Sequence, residues 1–416
     1  MAQLSDDCFA FGGELLTVDA ALRIIATGVT CVGGIEHLGL HAADGRILAE
    51  DVIAPIDLPP FDNAAVDGYA VRLADLDGSP DLPVDGRLAA GAPVTPPLAP
   101  ATTRRIFTGA AMPPGADTIF MQEDVRLDDN GRVRFPPGLR RGANTRPRGE
   151  DIANGNLALR RGQRLRPQDI ALAAALGLRQ LPVRRPIRVG LFSTGNELIE
   201  PGLPTGPTQR YDSNRALLAA LAGRAGAHVM DLGILPDRRD AIAAALAEAA
   251  RDSDLILTSG GVSAGEEDHV KTAVEVGGRL VFWRLAIKPG RPVAMGSVAG
   301  VPFVGLPGNP AAAFITFVHV ARPLLQVLAG ATIEAPAMFR VRAGFSYRKK
   351  AGRREYVRVL IEPGPDGEPV AQKHGVEGAG ILTSLTQTSG LAELAESVTA
   401  VAPGDSIDYL PYELLF

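Results

Sequence analysis

Residues 187–195 read IRVGLFSTG, an apolar run broken only by Arg188 that closes on two hydroxyls and a glycine. A strand buried on both faces and opening into a loop has this texture. Downstream, SNRALLAALAGRAG (213–226) predicts a helix capped by Asp212 or Ser213, and HVMDLGI (228–234) a strand. DRRDAIAAALAEAARD (237–252) predicts a helix capped by Asp237, and DLILTSGG (254–261) a third strand. A helix through EEDHVKTAVEVG follows, then strands near VFWRLA, PVAMG and VPFVGL, then the long helix PAAAFITFVHVARPLLQVLAG (310–330). Apolar strands alternating with helices predict a doubly wound, mostly parallel α/β sheet domain over residues 183–332.

Outward from this unit the texture changes. Helical stretches at VDAALRIIA (18–26) and QDIALAAALGL (168–178) flank a segment punctuated by Pro, Gly and Asp. They predict a discontinuous helical domain, residues 1–50 with 151–182, interrupted by a β-rich insert at 51–150. In the tail, FRVRAGF, REYVRVLIE and SIDYLPYELL alternate with turns such as PGPDGEP, predicting a small C-terminal β-barrel over 333–416. A length of 416 residues accommodates such a multidomain chain.

Composition removes several classes of function. The balance of 42 basic and 47 acidic residues gives a net charge of −5, unlike the basic face of a nucleic-acid binder. Only Cys8 and Cys31 are present, so no disulfide framework or zinc spacing can be built. The six histidines are scattered. The run MAQLSDDCFAFGGELL lacks the layout of a secretory signal, and no uninterrupted apolar run is long enough for a bilayer. A cytoplasmic location without membrane attachment is the expectation.

In an open parallel sheet, ligands bind beyond the carboxyl ends of the strands. Five loops collect there: STGNE (193–197), ILPD (234–237), TSGGVS (258–263), AIKPGRP (286–292) and GLPGNP (305–310). Glycine amides in SGGVS can cradle phosphate, Ser263 adds a hydroxyl, and Lys288 and Arg291 add positive charge. Glu197, Asp237 and Asp268 supply acid. Acids beside a phosphate cradle suit Mg²⁺, which takes one or two carboxylates together with phosphate oxygens. The bland alternative makes Asp237 a helix cap and Glu266–Asp268 a dipole-matched helix start. GxxxxGK[ST] and GxGxxG after the first strand are missing. In the insert, Asp62 and Asp67 of PPFDNAAVDGYAVR serve either a turn or a site. Such loops could serve the sheet domain from another subunit.

FDNAAVDGYA, TGAAMPPGAD, RGEDI, STGNEL, SGGVSAGEEDHVK, AIKPGRP and GLPGNP, in this order, resemble the molybdopterin molybdenumtransferase family along essentially the whole chain. The chain is also similar to the C-terminal part of gephyrin. The resemblance implies an L-shaped, four-domain subunit that forms a homodimer, with each active site shared between the sheet domain of one subunit and the insert of the other. It implies that molybdate enters the dithiolene of adenylylated molybdopterin, with AMP released in the presence of Mg²⁺. Other molybdenum cofactor synthesis proteins and molybdoenzymes are the implied partners.

Carried over by motif, Asp67 and Thr108 are the insert's share of the site. Glu197, Asp237 and Asp268 are the acids near substrate or metal. Lys288, with Ser259, Gly260, Gly261, Ser263, Arg291 and Pro292, faces molybdate or the phosphates. Pro307 and Pro310 shape the adjoining loop, Arg353 and Ser384 form an anion-binding pair from the tail, and Arg146 and Asp151 brace the hinge. The chain departs from the family pattern at Ala311–Ala313 after GNP, where serine is common at the second position. It also has Ala64 and Val66 where Ser and Met are usual, and Arg291 where lysine is frequent. The rivals are a molybdopterin adenylyltransferase, whose kind lacks the insert and the barrel, and a gephyrin-like scaffold without catalysis.

Overall fold

The computed structural model describes residues 15–93, 95–262 and 269–415. The central sheet holds β1 (Arg188–Thr194), β2 (His228–Leu235), β3 (Leu255–Ser259), β4 (Gly278–Arg284), β5 (Pro292–Val298) and β6 (Val301–Leu306). Their order is β2-β1-β3-β6-β5-β4. β1 runs parallel to β2 and β3, and β3 to β6, while β5 pairs antiparallel with both β6 and β4. Winding reverses between β1 and β3, so a crevice opens beyond their carboxyl ends. All five residues of β3 are buried, because helices cover both faces of the sheet. That burial explains its unbroken apolar run.

Two local readings resolve here. Asp212 caps the helix Ser213–Arg224, its side chain accepting from the Arg215 amide at 3.1 Å. The next helix is Arg239–Asp252, with Arg238 at the cap position and no side-chain cap bond. Asp237 is therefore not that helix's cap. Its carboxylate faces back to β1 and accepts from Thr194 Oγ1 at 3.3 Å.

The pieces on either side of the insert do meet, chiefly through strands. Ile35–Gly39 pairs antiparallel with Gln180–Arg184, and Val52–Ile53 with Leu157–Leu159, over a core that includes Leu48, Leu165 and Val183. The N-terminal helix Val18–Gly28 goes elsewhere. Its buried Val18, Ala21 and Ile25 join the core of the sheet unit with Ile187 and Leu324.

The insert is a six-stranded sheet built around Gly68–Val71, Thr103–Ile106 and Thr118–Met121. Gly68 has no substitute there, since a Cβ would stand 2.0 Å from the Phe120 carbonyl oxygen. Ala64 is fully buried in the insert's core, so this departure from the family pattern is accommodated by packing. Arg146 lies opposite Asn63 in a short ladder, and the Asp151 amide donates to Leu58 O at 3.0 Å.

The tail closes into a barrel. Arg354–Pro363 pairs with both Pro369–Lys373 and Gly390–Leu394, and the ring is completed by Phe339–Ala343 and Ser406–Pro411. One short strand from the sheet unit, Ile287–Lys288, adds to Arg354–Pro363 in parallel, with Lys288 opposite Glu355. This pairing places the AIKPGRP loop against the barrel.

The long helix Pro310–Leu328 is long and apolar enough to cross a membrane by length and composition, and 83% of that span is buried within the protein. It is a core helix, and it contains a π-helical turn at Phe317–Ala321. His319 in that turn stacks on Tyr356 with ring centroids 4.3 Å apart. Burial first, then the charges of Arg354 and Arg322, depress its pKa to about 3.

An unfolded chain protonates His319 near pH 6.5 and the folded chain does not, so stability carried by the neutral ring is full above pH 6.5 and falls toward pH 3. The expected slope from this one group is about 1.4 kcal/mol per pH unit. His319→Phe, which keeps a ring against Tyr356, should flatten the acid limb of a stability–pH curve by about that amount. Parallel curves for the two proteins would refute the assignment.

Candidate functional site

At the crevice, two loops are tied by one buried side chain that sequence reading passed over. Asn214 Nδ2 donates to Ser259 Oγ at 2.8 Å and to Gly308 O at 2.9 Å, joining the loops after β3 and β6. Asn214 Oδ1, Ser193 Oγ and Thr258 Oγ1 are buried and lack partners among the described residues. Buried polar atoms are ordinarily paired, so such orphans at a ligand edge fit a bound polar group. The signal was the DSN at 212–214, read only as a helix start.

Gly260 and Gly261 both take positive φ, +90° and +66°. The expected cradle is altered in one respect: the Gly260 amide is spent on Leu306 O at 3.0 Å, so it extends the β3–β6 ladder instead of facing phosphate. Ser263 and Asp268, with Glu266 and Glu267, lie outside the described residues.

The remaining acids stand on the loops after β1 and β2. Glu197 pairs with Arg210 at 2.6 Å. Burial pushes the Glu197 carboxyl up, and Arg210 more than offsets this, leaving it below its ordinary value. Asp237 is held through Thr194, and its amide donates to Asn196 Oδ1 at 3.4 Å. Among the described residues no group of three metal-ligating side chains occurs. Two hard carboxylates on neighbouring loops nonetheless match what Mg²⁺ takes when phosphate oxygens and water complete its shell.

Where the sheet unit meets the barrel, a cavity of about 370 Å³ opens. Lys288, Arg291, Pro292 and Pro307 line it from the sheet unit and Arg353 from the barrel, so these expected residues converge. Ala312 lines it too, presenting a methyl where the family often has a hydroxyl. Pro310 starts the long helix beside it. Arg358 and Lys373, which sequence reading missed, add two further cations. The alternation of REYVRVLIE was legible, but not which of its charges face inward.

Ser384 is buried, and its hydroxyl donates to Ile381 O at 2.5 Å while accepting from Arg358 Nε at 3.1 Å. It therefore holds Arg358. Burial lowers the Arg358 pKa without threatening its charge. Lys288 resists its own desolvation because Tyr347 and Glu355 face it, and its pKa ends above the ordinary lysine value.

In the insert, Asp67 and Thr108 come together. Thr108 donates to Asp67 Oδ1 from its hydroxyl at 2.6 Å and its amide at 2.8 Å. These bonds hold the carboxyl below its usual range. Asp67 is half-buried and Thr108 exposed, both on loops beside the insert sheet and apart from the residues that line the cavity.

Three family models match the chain: "MoeA N-terminal region (domain I and II)" over residues 16–177, "Probable molybdopterin binding domain" over 190–327, and "MoeA C-terminal region (domain IV)" over 340–412. The chain is 36% identical over 402 residues to a molybdopterin molybdenumtransferase of Haemophilus influenzae, covering 96% of this chain and all of that protein. It is 38% identical over 385 residues to molybdopterin molybdenumtransferase 2 of Mycobacterium tuberculosis, covering 88% and 93%. The crystal structure of the molybdopterin biosynthesis MoeA protein of Pyrococcus horikoshii superimposes with a TM-score of 0.81 at 28% identity, covering 96% of this chain and 100% of that one.

Proposed function

The chain belongs to the molybdopterin molybdenumtransferase family, and from that premise we propose that the cationic cavity between sheet unit and barrel receives the molybdate. The reaction is insertion of molybdate into adenylylated molybdopterin with release of AMP, the last step of molybdenum cofactor synthesis. The observation that carries the assignment is the convergence of Lys288 and Arg291 from one unit with Arg353, Arg358 and Lys373 from another on a single cavity. A doubly charged oxyanion is the ligand that such a lining holds best, since arginine forks match its oxygens and lysine adds a point charge.

The crevice beyond β1 and β3 takes the adenylylated molybdopterin. Its orphaned Asn214 Oδ1, Ser193 Oγ and Thr258 Oγ1 offer bonds to a polar ligand, and the SGG turn allows close approach. Glu197 and Asp237, with Asp268, are the residues that hold Mg²⁺ against the pyrophosphate. Bound there by these carboxylates, Mg²⁺ would supply charge neutralisation at the phosphate oxygens. Catalysis then rests on positioning and preorganised charge, with no covalent protein intermediate. A second copy of the chain supplies the Asp67–Thr108 pair, an arrangement that makes the homodimer the working unit.

The test is turnover with purified protein, adenylylated molybdopterin and Mg²⁺, following AMP. AMP should form only when molybdate is present, and excess EDTA should stop it until Mg²⁺ is restored. Consumption of ATP against free molybdopterin, without AMP release from the adenylylated form, would move the protein to the adenylylation step. AMP release unaffected by chelation would remove the metal from the scheme.

A further inference from the structure

Behind the cavity lies a carboxylate that the reaction scheme does not use. Glu355 is 1% exposed, stands on the barrel strand Arg354–Pro363, and is paired in register with Lys288 across the junction. Its Oε1 accepts from Arg353 Nε at 2.6 Å. Its Oε2 accepts from Tyr347 Oη at 2.7 Å and faces Lys288 Nζ at 3.4 Å. Lys288 Nζ also donates to Tyr347 Oη at 3.1 Å.

Counting protons gives these contacts a direction. A phenol has one O–H. Because Tyr347 donates it to Glu355, its lone pair is turned toward Lys288 and the ammonium is aimed. Lys288 spends two N–H groups on Tyr347 and Glu355, which leaves the third for a ligand. Arg353 spends Nε, which leaves both terminal nitrogens. One buried acid thus orients one cation from each domain, while its own charge is satisfied by three donors. A carboxylate this deeply buried is tolerated only with such partners.

We propose that Glu355, acting with Tyr347, is the positioning residue of the oxyanion site: it aligns Lys288 and Arg353 so that their free N–H groups converge on one anion. This rests on the reading of the cavity as the molybdate site. Simple electrostatics predicts the opposite outcome for its removal, since deleting a negative charge beside two cations strengthens anion binding. Alignment predicts weaker binding, because the freed cations lose their shared direction and must be ordered by the ligand. The sign of the effect therefore separates the two accounts.

The experiment uses the full chain and titrates sodium molybdate calorimetrically into wild type, Glu355→Gln and Tyr347→Phe, with turnover measured alongside. Glu355→Gln should weaken molybdate binding about tenfold or more, and Tyr347→Phe about threefold or more. In turnover, the half-saturating molybdate concentration should rise accordingly, that for adenylylated molybdopterin should stay within about twofold, and saturating molybdate should restore kcat. Unchanged or tighter molybdate binding by Glu355→Gln overturns the proposal. A loss of kcat that saturating molybdate does not restore also overturns it, since that marks general disruption. If Glu355→Gln fails to fold, Tyr347→Phe decides alone, and unchanged binding by it overturns the proposal. Wild-type protein that does not bind molybdate refutes the cavity assignment itself, a result separate from either variant's.

Discussion

Lys288→Ala is expected to lower kcat/KM for molybdate-dependent AMP release by about 10²–10³-fold, the usual cost of removing one preorganised charge from a transition-state site. Lys288 has the right geometry for such a loss. Its side chain is half exposed to the cavity, yet its ammonium is anchored by Tyr347 and Glu355. The fold should survive, because Glu355 keeps its bonds from Arg353 and Tyr347. Circular dichroism should therefore match the parent while turnover collapses. A folded Lys288→Ala protein with full activity would remove this residue from the chemistry and, with it, the cavity's assignment.

Gly260→Ala should be the most damaging single-methyl change at the crevice. Gly260 sits at φ +90°, and a Cβ there would approach Thr194 O to 2.5 Å. The loop cannot retreat, because the Gly260 amide is bonded to Leu306 O. Strain and overpacking together set the expected loss at about 2–4 kcal/mol. Gly300 supplies the control: it has φ +83° with open space around it, so Gly300→Ala bears the backbone penalty alone, about 1–2 kcal/mol. The comparison is a thermal unfolding scan of both variants beside the parent. Equal shifts would mean that the contact with Thr194 is relieved cheaply.

Much of the site was legible because its parts are local. A strand buried on both faces writes itself as an apolar run, and the turn that follows must be glycine-rich, so IRVGLFSTG and DLILTSGG disclosed both the sheet and its working edge. Lys288 and Arg291 were found by charge within loops and Arg353 through the family resemblance, and the structure brings all three to one cavity. Local reasoning failed where a side chain's partner lies far along the chain. Asp237 looked like a helix cap because caps are defined by sequence neighbours, but its hydroxyl partner is Thr194 on another strand. The Gly260 amide looked free until β6 claimed it.

By itself, then, the sequence determined which segments form strands and helices and which chemical groups crowd their ends. Periodicity of burial and turn chemistry are properties of neighbouring residues, and they survive in a linear text. Tertiary structure alone decided three things: that the helix Val18–Gly28 packs on the sheet unit, that Asn214 ties two loops together, and that Lys288 meets Glu355 across two domains. Each depends on pairings between residues tens to hundreds of positions apart. Which charge of REYVRVLIE turns inward is set by the surface that closes over it, and a strand read alone has two faces with nothing to choose between them.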